Sequence, residues 1–150
     1  MSTDALGANV MAKILIADDH EIVREGIRRL LTESRPDWEI CGEAANGRQA
    51  VEAVNALNPD VVVLDVTMPG MSGLEACARI SKQHPSCRIL IFTVHDSHRM
   101  STEIRNVGGH GYVQKSRAAG DLIVAIERVM EGGTFFEEQE RSDAAPGGAN

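Results

Sequence analysis

Apolar residues fall along this chain in two kinds of block. Lys13 to Ala17 (KILIA), Val61 to Asp65 (VVVLD) and Arg88 to Thr93 (RILIFT) are almost unbroken apolar runs of strand length. Glu39 to Ala44 (EICGEA) alternates and predicts a weaker strand, and His110 to Val113 (HGYV) a brief one. Between the strands, apolar residues recur at helical spacing. Val23, Ile27, Leu30 and Leu31 mark one helix, and Ala50, Val54 and Leu57 the next. Further helices are predicted over Ser72 to Gln83, over Asp96 to Val107 with only a thin stripe at Met100, Ile104 and Val107, and around Leu122, Ile126 and Val129. Pro36, Asn46-Gly47, Asn58-Pro59, His84-Pro85, Gly108-Gly109 and Gly132-Gly133 punctuate the blocks.

Strand and helix thus alternate five times. Short strands that are apolar on both faces need cover on both sides, which a parallel sheet with crossover helices supplies. The expected fold is α/β: a doubly wound five-stranded parallel sheet, (βα)5 and flavodoxin-like, in the order 2-1-3-4-5. Residues 1–12 are expected to be a flexible leader and 13–133 the domain. Residues 134–150 form a C-terminal extension whose composition (SDAAPGGAN) predicts disorder. Phe135-Phe136 within it are expected to anchor the end of the last helix.

The order of strands gains support from the polar residues at their C-terminal ends. The first ends in Asp18-Asp19, the third in Asp65, the fourth in Thr93, and Lys115 closely follows the fifth. The second offers only Ala44-Ala45 and would be an edge. Ligands of open α/β sheets bind outside the carboxyl ends of strands, at the switch point of the strand order. Converging carboxylates repel, and a hard all-oxygen site suits Mg²⁺ (or Mn²⁺), which also bridges to phosphate oxygens. With a lysine ammonium and a threonine hydroxyl beside it, such a pocket has the parts that stabilise a transferring phosphoryl group. Asp65 is the candidate nucleophile, since carboxylates form aspartyl-phosphates. Taken alone, Asp18-Asp19 reads equally well as a helix N-cap.

Composition narrows the partners. Fifteen Lys+Arg stand against 22 Asp+Glu, a formal charge of −7, which argues against direct binding of nucleic acid or an anionic membrane surface. Cys41, Cys77 and Cys87 are an odd number with no CxxC, so reduced thiols in the cytoplasm are expected. No run approaches the roughly 18 apolar residues of a membrane span. MSTDALGANVMA lacks the pattern of a secretory signal. The histidines, His84, His95, His98 and His110 among them, are expected on the surface, because no Cys/His cluster has zinc-site spacing.

The Asp18-Asp19 pair, Asp65 with the following MPGMSG, Thr93, and GYVQK with Tyr112 and Lys115 together resemble the receiver domain of bacterial response regulators (CheY-like) over about Lys13 to Gly133. The closing GGTFF is similar to receivers of LuxR-type (NarL/FixJ) two-component regulators. The resemblance implies a phospho-accepting signalling switch and not a conventional enzyme. Asp65 would take phosphate from a histidine kinase or phosphotransfer protein. Asp19 would bind Mg²⁺ directly, Asp18 mainly through water, and Asp65 and the backbone carbonyl of Thr67 would complete the protein ligands. Thr93 and Lys115 would hold the phosphoryl group. Thr93 and Tyr112 would form the switch, Tyr112 turning inward once Thr93 moves. Apart from the resemblance, His95 stands two residues after Thr93, at the mouth of the expected site, and is expected to modulate dephosphorylation by restricting or orienting water. Phosphorylation would be coupled to homodimerisation or partner binding through the surface of the fourth helix, fifth strand and fifth helix or, alternatively, through the first and fifth helices. Proline is common where Ser116 stands, so a cis peptide after Lys115 is not expected.

Two other functions compete. A haloacid dehalogenase-like phosphatase also uses an aspartate nucleophile, but it carries an acidic residue two places on, where this chain has Thr67. A receiver-like interaction domain that works without phosphorylation would have no use for the acidic pair, Asp65, Thr93 and Lys115 together. A P-loop NTPase is excluded by the lack of GxxxxGK[ST].

Overall fold

A computed structural model describes residues 12–94 and 98–136. Its elements are β1 (Lys13–Ala17), α1 (Glu21–Ser34), β2 (Glu39–Ala44), α2 (Gly47–Leu57), β3 (Val61–Asp65) and α3 (Gly73–Gln83). There follow β4 (Arg88–Thr93), α4 (His98–Asn106), β5 (Gly111–Gln114), a 3-10 turn (Lys115–Arg117), α5 (Ala118–Met130) and β6 (Phe135–Phe136). The sheet runs β2-β1-β3-β4-β5-β6, every neighbouring pair parallel. The order of the first five strands is the expected one.

Two expectations are corrected here. The sheet has a sixth strand, because Phe135 and Phe136 leave the end of α5 and pair in parallel with Gly111 and Tyr112. These two residues, placed in the C-terminal extension and expected to anchor the end of the last helix, are both buried. The turn that brings them back uses Gly132 at φ 96°, a conformation open mainly to glycine. The rest of the extension and the leader, like the expected start of α4 at Asp96, lie outside the described residues. β5 also begins one residue later than expected, at Gly111.

Alternation along the strands divides the core into two layers. Leu15, Val62, Leu64, Ile89, Ile91 and Tyr112 face α2 and α3. Ile14, Ile16, Val61, Val63, Leu90 and Phe92 face the other way, with Ile27 and Leu31 of α1 and Leu122, Ile126 and Val129 of α5. All five residues of β3 are buried, as expected of a central strand covered on both faces.

Local signals set the helix ends. Asn46 Oδ1 accepts from the Gln49 N–H at 2.8 Å while Gln49 Oε1 accepts from the Ala45 N–H at 2.9 Å, a reciprocal cap at the start of α2. Ser72 Oγ caps α3 by accepting from the Glu75 N–H at 3.1 Å. α1 differs: its N-cap is His20, whose side chain makes no capping bond. Asp18-Asp19 therefore do not cap this helix, and their carboxylates are left for other work. No peptide bond among the described residues is cis, the Lys115–Ser116 bond included.

Candidate functional site

Three chain crossings meet at the carboxyl edge of the sheet. β1 delivers Asp18 and Asp19, β3 delivers Asp65, and the turn after β5 delivers Lys115. One ligand atom from each of Asp18, Asp19, His20 and Asp65 lies within 4.8 Å of all the others. Asp18 is wholly buried and Asp65 is 3% exposed, whereas Asp19 and His20 stand at the mouth.

Lys115 Nζ spans the inner carboxylates, 2.9 Å from Asp18 Oδ2 and 3.4 Å from Asp65 Oδ1. Asp65 Oδ1 also accepts from the Thr67 N–H at 3.3 Å. Burial, and then the charge of Asp18, push the Asp65 carboxyl above its ordinary range, against the opposing pull of Lys115 and the Thr67 N–H. A more basic carboxylate is a better nucleophile. Burial alone would lower the Lys115 ammonium, but its bonds to Asp18 and the charge of Asp65 outweigh this and raise it. The cation is therefore fixed at neutral pH.

The turn after β3 gives the pocket its shape. Gly70 adopts φ 76° and swings the chain away from Asp65. Gly73 begins α3 directly beneath it, where a Cβ would stand 2.0 Å from the Asp65 carbonyl oxygen. The Gly73 N–H donates to the Val66 carbonyl at 2.9 Å, tying the start of α3 to the strand end. On the other side, Arg24 of α1 donates from Nη1 to the Asp18 carbonyl at 2.7 Å and from Nε to Glu43 at 2.8 Å. Arg24 thereby braces the acidic loop against β2.

The remaining expected residues fall as follows. Thr93 is buried at the end of β4, paired in register with Gln114, and so lies between the strand of Asp65 and the turn of Lys115. Thr67 is exposed next to Asp65. His95 lies outside the described residues. Tyr112 is already fully buried, its ring centroid 6.3 Å from that of Phe136. The expected inward turn on activation therefore has no outward starting point in this structure. His110 was expected on the surface, yet it is half-buried and accepts from the Ile89 N–H through Nδ1 at 3.0 Å. Sequence reasoning missed His20, although it directly follows the acidic pair.

The donor set fits a divalent cation. Carboxylate oxygens from two strands share one pocket, and their mutual repulsion is met only in part by Lys115. Asp18, Asp19 and Asp65 would hold such an ion, which when bound supplies positive charge to phosphoryl oxygens.

Comparison with known proteins gives this geometry its setting. Residues 14–127 match the response regulator receiver domain family. The chain belongs to that family. The transcriptional regulatory protein DegU of Brevibacillus brevis is 35% identical over 83% of the chain and 52% of its own length. The nitrate/nitrite response regulator protein NarL of Escherichia coli K12 is 35% identical over 85% of the chain and 58% of its own length. This receiver thus spans little more than half of these curated relatives. Among solved structures, a LuxR-family two-component response regulator from Aurantimonas sp. SI85-9A1 superposes with TM-score 0.82 at 36% identity, over 94% of this chain and 100% of its own. The isolated receiver of RcsB from Salmonella enterica serovar Typhimurium, solved with phosphomimetic BeF3-, gives TM-score 0.77 at 27% identity over 86% of this chain and 95% of its own. The receiver is of the LuxR/NarL type, a phospho-acceptor switch module, and phosphorylation on aspartate is expected for the family. Among the described residues no helix is long and apolar enough to cross a membrane.

Proposed function

We propose that Asp65 accepts a phosphoryl group from a histidine kinase or phosphotransfer protein, with Mg²⁺ (or Mn²⁺) held by Asp18, Asp19, Asp65 and the Thr67 carbonyl. The observation that carries this reading is the buried Asp65 carboxylate with Lys115 bridging it to Asp18. An Asp65 oxygen attacks phosphorus, the phosphorus–nitrogen bond of the donor phosphohistidine breaks, and its electron pair returns to the imidazole. Charge on the phosphoryl oxygens is met by the Thr93 hydroxyl at the end of β4 and by Lys115 in the turn after β5. The cation adds charge stabilisation when bound.

Two alternatives fit less well. A haloacid dehalogenase-like phosphatase needs an acid–base residue where exposed Thr67 stands. A phosphorylation-independent interaction domain gives no reason for a buried, mutually repelling acidic cluster. Incubation with acetyl phosphate and Mg²⁺, followed by intact mass spectrometry, separates all three. One phosphoryl group per chain, lost in Asp65→Asn, supports the switch. No labelling favours the interaction domain, and turnover of a generic phosphomonoester favours the phosphatase.

The output is protein contact, not direct reading of nucleic acid by a chain of net charge −7. β6 covers β5 at Gly111 and Tyr112. A groove between α1 and the start of α5 is lined by Val23, Ile27, Leu30, Phe92 and Ala118, with Lys115 among its walls. These features favour the α1–α5 side for a phosphorylation-linked homodimer or partner. The cytoplasm is the compartment in which such a kinase would meet it.

A further inference from the structure

Arg24 lies outside the acidic cluster, yet it is bonded to the backbone that carries the cluster. Its guanidinium donates from Nη1 to the Asp18 carbonyl at 2.7 Å and from Nε to Glu43 Oε1 at 2.8 Å. Glu43 in turn accepts on Oε2 from Arg28 Nε at 2.9 Å. The Arg24 side chain is only 16% exposed, so these bonds are partly shielded from water and salt. The end of β2 carries only Ala44 and Ala45, but the strand still reaches the pocket, through Glu43 and Arg24.

The bond to the Asp18 carbonyl falls on one particular peptide. That carbonyl belongs to the planar unit joining Asp18 to Asp19, so holding its oxygen also fixes the direction in which Asp19 leaves. The unit before it is held as well, because the Asp18 N–H donates to the Ala44 carbonyl at 3.0 Å. Both peptides flanking Asp18 are thus tied to β2, one directly and one through Arg24. Adjacent side chains of a straight strand point to opposite faces. Here the chain bends at Asp19, and both carboxylates enter one 4.8 Å cluster with Asp65. Without Arg24 the carbonyl of a wholly buried residue loses a charged donor. The peptide is then freer to rotate and to carry the Asp19 carboxylate off the cluster.

We propose that Arg24, anchored by Glu43, is a positioning residue for phosphoryl transfer: it holds the Asp18–Asp19 peptide so that both carboxylates face one cation site, and sets Mg²⁺ affinity without touching the ion or the phosphoryl group. The inference rests on the reading of Asp65 as acceptor and of this pocket as its cation site. Two donors of one planar guanidinium serve two acceptors at once. A lysine ammonium keeps the charge but does not reproduce that fork.

The test uses the full 150-residue chain. Amide NMR shifts of Asp19 and Asp65 during MgCl₂ titration give the affinity, and labelling by acetyl phosphate over a range of Mg²⁺ gives the half-saturating concentration and the maximal rate. Arg24→Ala should need at least about tenfold more Mg²⁺ by both readouts, while its maximal labelling rate stays near that of the wild type. Arg24→Lys should remain close to Arg24→Ala. Glu43→Ala should shift the affinity in the same direction by less, and the double variant should be no worse than Arg24→Ala alone, because the two residues act as one unit. Arg29→Ala, which removes only an exposed pair with Glu33, should match the wild type. Unchanged Mg²⁺ affinity in Arg24→Ala, beside a wild type that is labelled, overturns the role of Arg24 and leaves Asp65 standing as acceptor. Full recovery in Arg24→Lys reduces Arg24 to its charge and overturns positioning, and additive losses from Arg24→Ala and Glu43→Ala overturn the anchoring by Glu43. If Arg24→Ala does not fold, Glu43→Ala carries the test, and unchanged affinity there overturns the proposal. A wild type that binds no Mg²⁺ removes the cation site and the inference with it. One that binds Mg²⁺ but is not labelled rejects the acceptor and, with it, the part Arg24 plays in transfer.

Discussion

Replacing Asp65 with asparagine should stabilise the protein. Asn keeps the shape of the side chain and an oxygen to accept from the Thr67 N–H, but it removes a buried charge. At an effective dielectric of about 20, unit charges 4.8 Å apart, the outer limit of the cluster, interact by about 3.5 kcal/mol. Asp18 and Asp19 each repel Asp65 by that much or more. The attraction of Lys115 at 3.4 Å is about 4.9 kcal/mol on the same scale. Repulsion thus exceeds attraction by about 2 kcal/mol, and the desolvation of a carboxylate with 3% exposure adds to it. A gain of about 1–3 kcal/mol is expected, or roughly 4 °C in Tm per kcal/mol for a domain of this size. The pH dependence has a definite sign. The folded-state Asp65 is raised, so in the window from the ordinary carboxylate value up to the folded one the native state holds more protons. Wild-type stability falls as pH rises through that window, and the advantage of Asp65→Asn is complete above it. Calorimetric melts at neutral pH in EDTA measure the difference. Mg²⁺ should narrow it, because an ion bound only to the folded wild type adds stability by mass action. An Asp65→Asn protein that melts at or below the wild type in EDTA would refute this account of the pocket.

Phe136→Ala should destabilise by about 3 kcal/mol, since a buried ring is lost; urea unfolding measures this, and the NMR signals of Tyr112 report its loosening. His110 is lowered by burial and by the Arg88 guanidinium. The unfolded state then binds more protons just below about pH 6.5, so stability falls as pH drops through that region. His110→Asn should flatten the urea midpoint between pH 7.5 and 5.5, and an unchanged slope would contradict the assignment. Burial pushes Cys77 and Cys87 up to about 12. A disulfide reagent should therefore modify at most Cys41 in the native protein and all three cysteines after unfolding.

The sequence made the central architecture legible because the physics there is repetitive. β1, β3 and β4 are unbroken apolar runs, and their bounds agree with expectation residue for residue. The carboxylates announced the pocket because charge at the end of a buried strand needs a reason. Other features were hidden for identifiable reasons. β6 is two residues long, too short for any period, and its pairing depends on a glycine turn and on Phe136 finding Tyr112. His110 reads as a surface residue until β4 and β5 are paired, which brings its ring to the Ile89 N–H. His20 escaped notice because zinc-site spacing rules look for His and Cys clusters, while its neighbours are carboxylates on a loop and on a strand far along the chain.

Tyr112 and Phe136 together bear on the proposed Thr93–Tyr112 switch. Tyr112 is fully buried, and Phe136 lies between its ring and the Arg105 guanidinium, which sits 3.9 Å over the Phe136 centroid. The inward tyrosine is thus secured by the strand that follows α5, through packing that requires no phosphate. Moving Tyr112 outward means disturbing β6 as well, so the two form one unit. Carrying a two-state equilibrium from 1:99 to 99:1 takes about 5.5 kcal/mol. A single charge-assisted bond from Thr93 to a phosphoryl oxygen supplies about 1.5–3 kcal/mol. Thr93 alone cannot throw such a switch from one extreme to the other. On the proposed reading it would tip one whose inward state is already supported by Phe136, and the residues that hold β6 against β5 would then set how much phosphorylation has left to do.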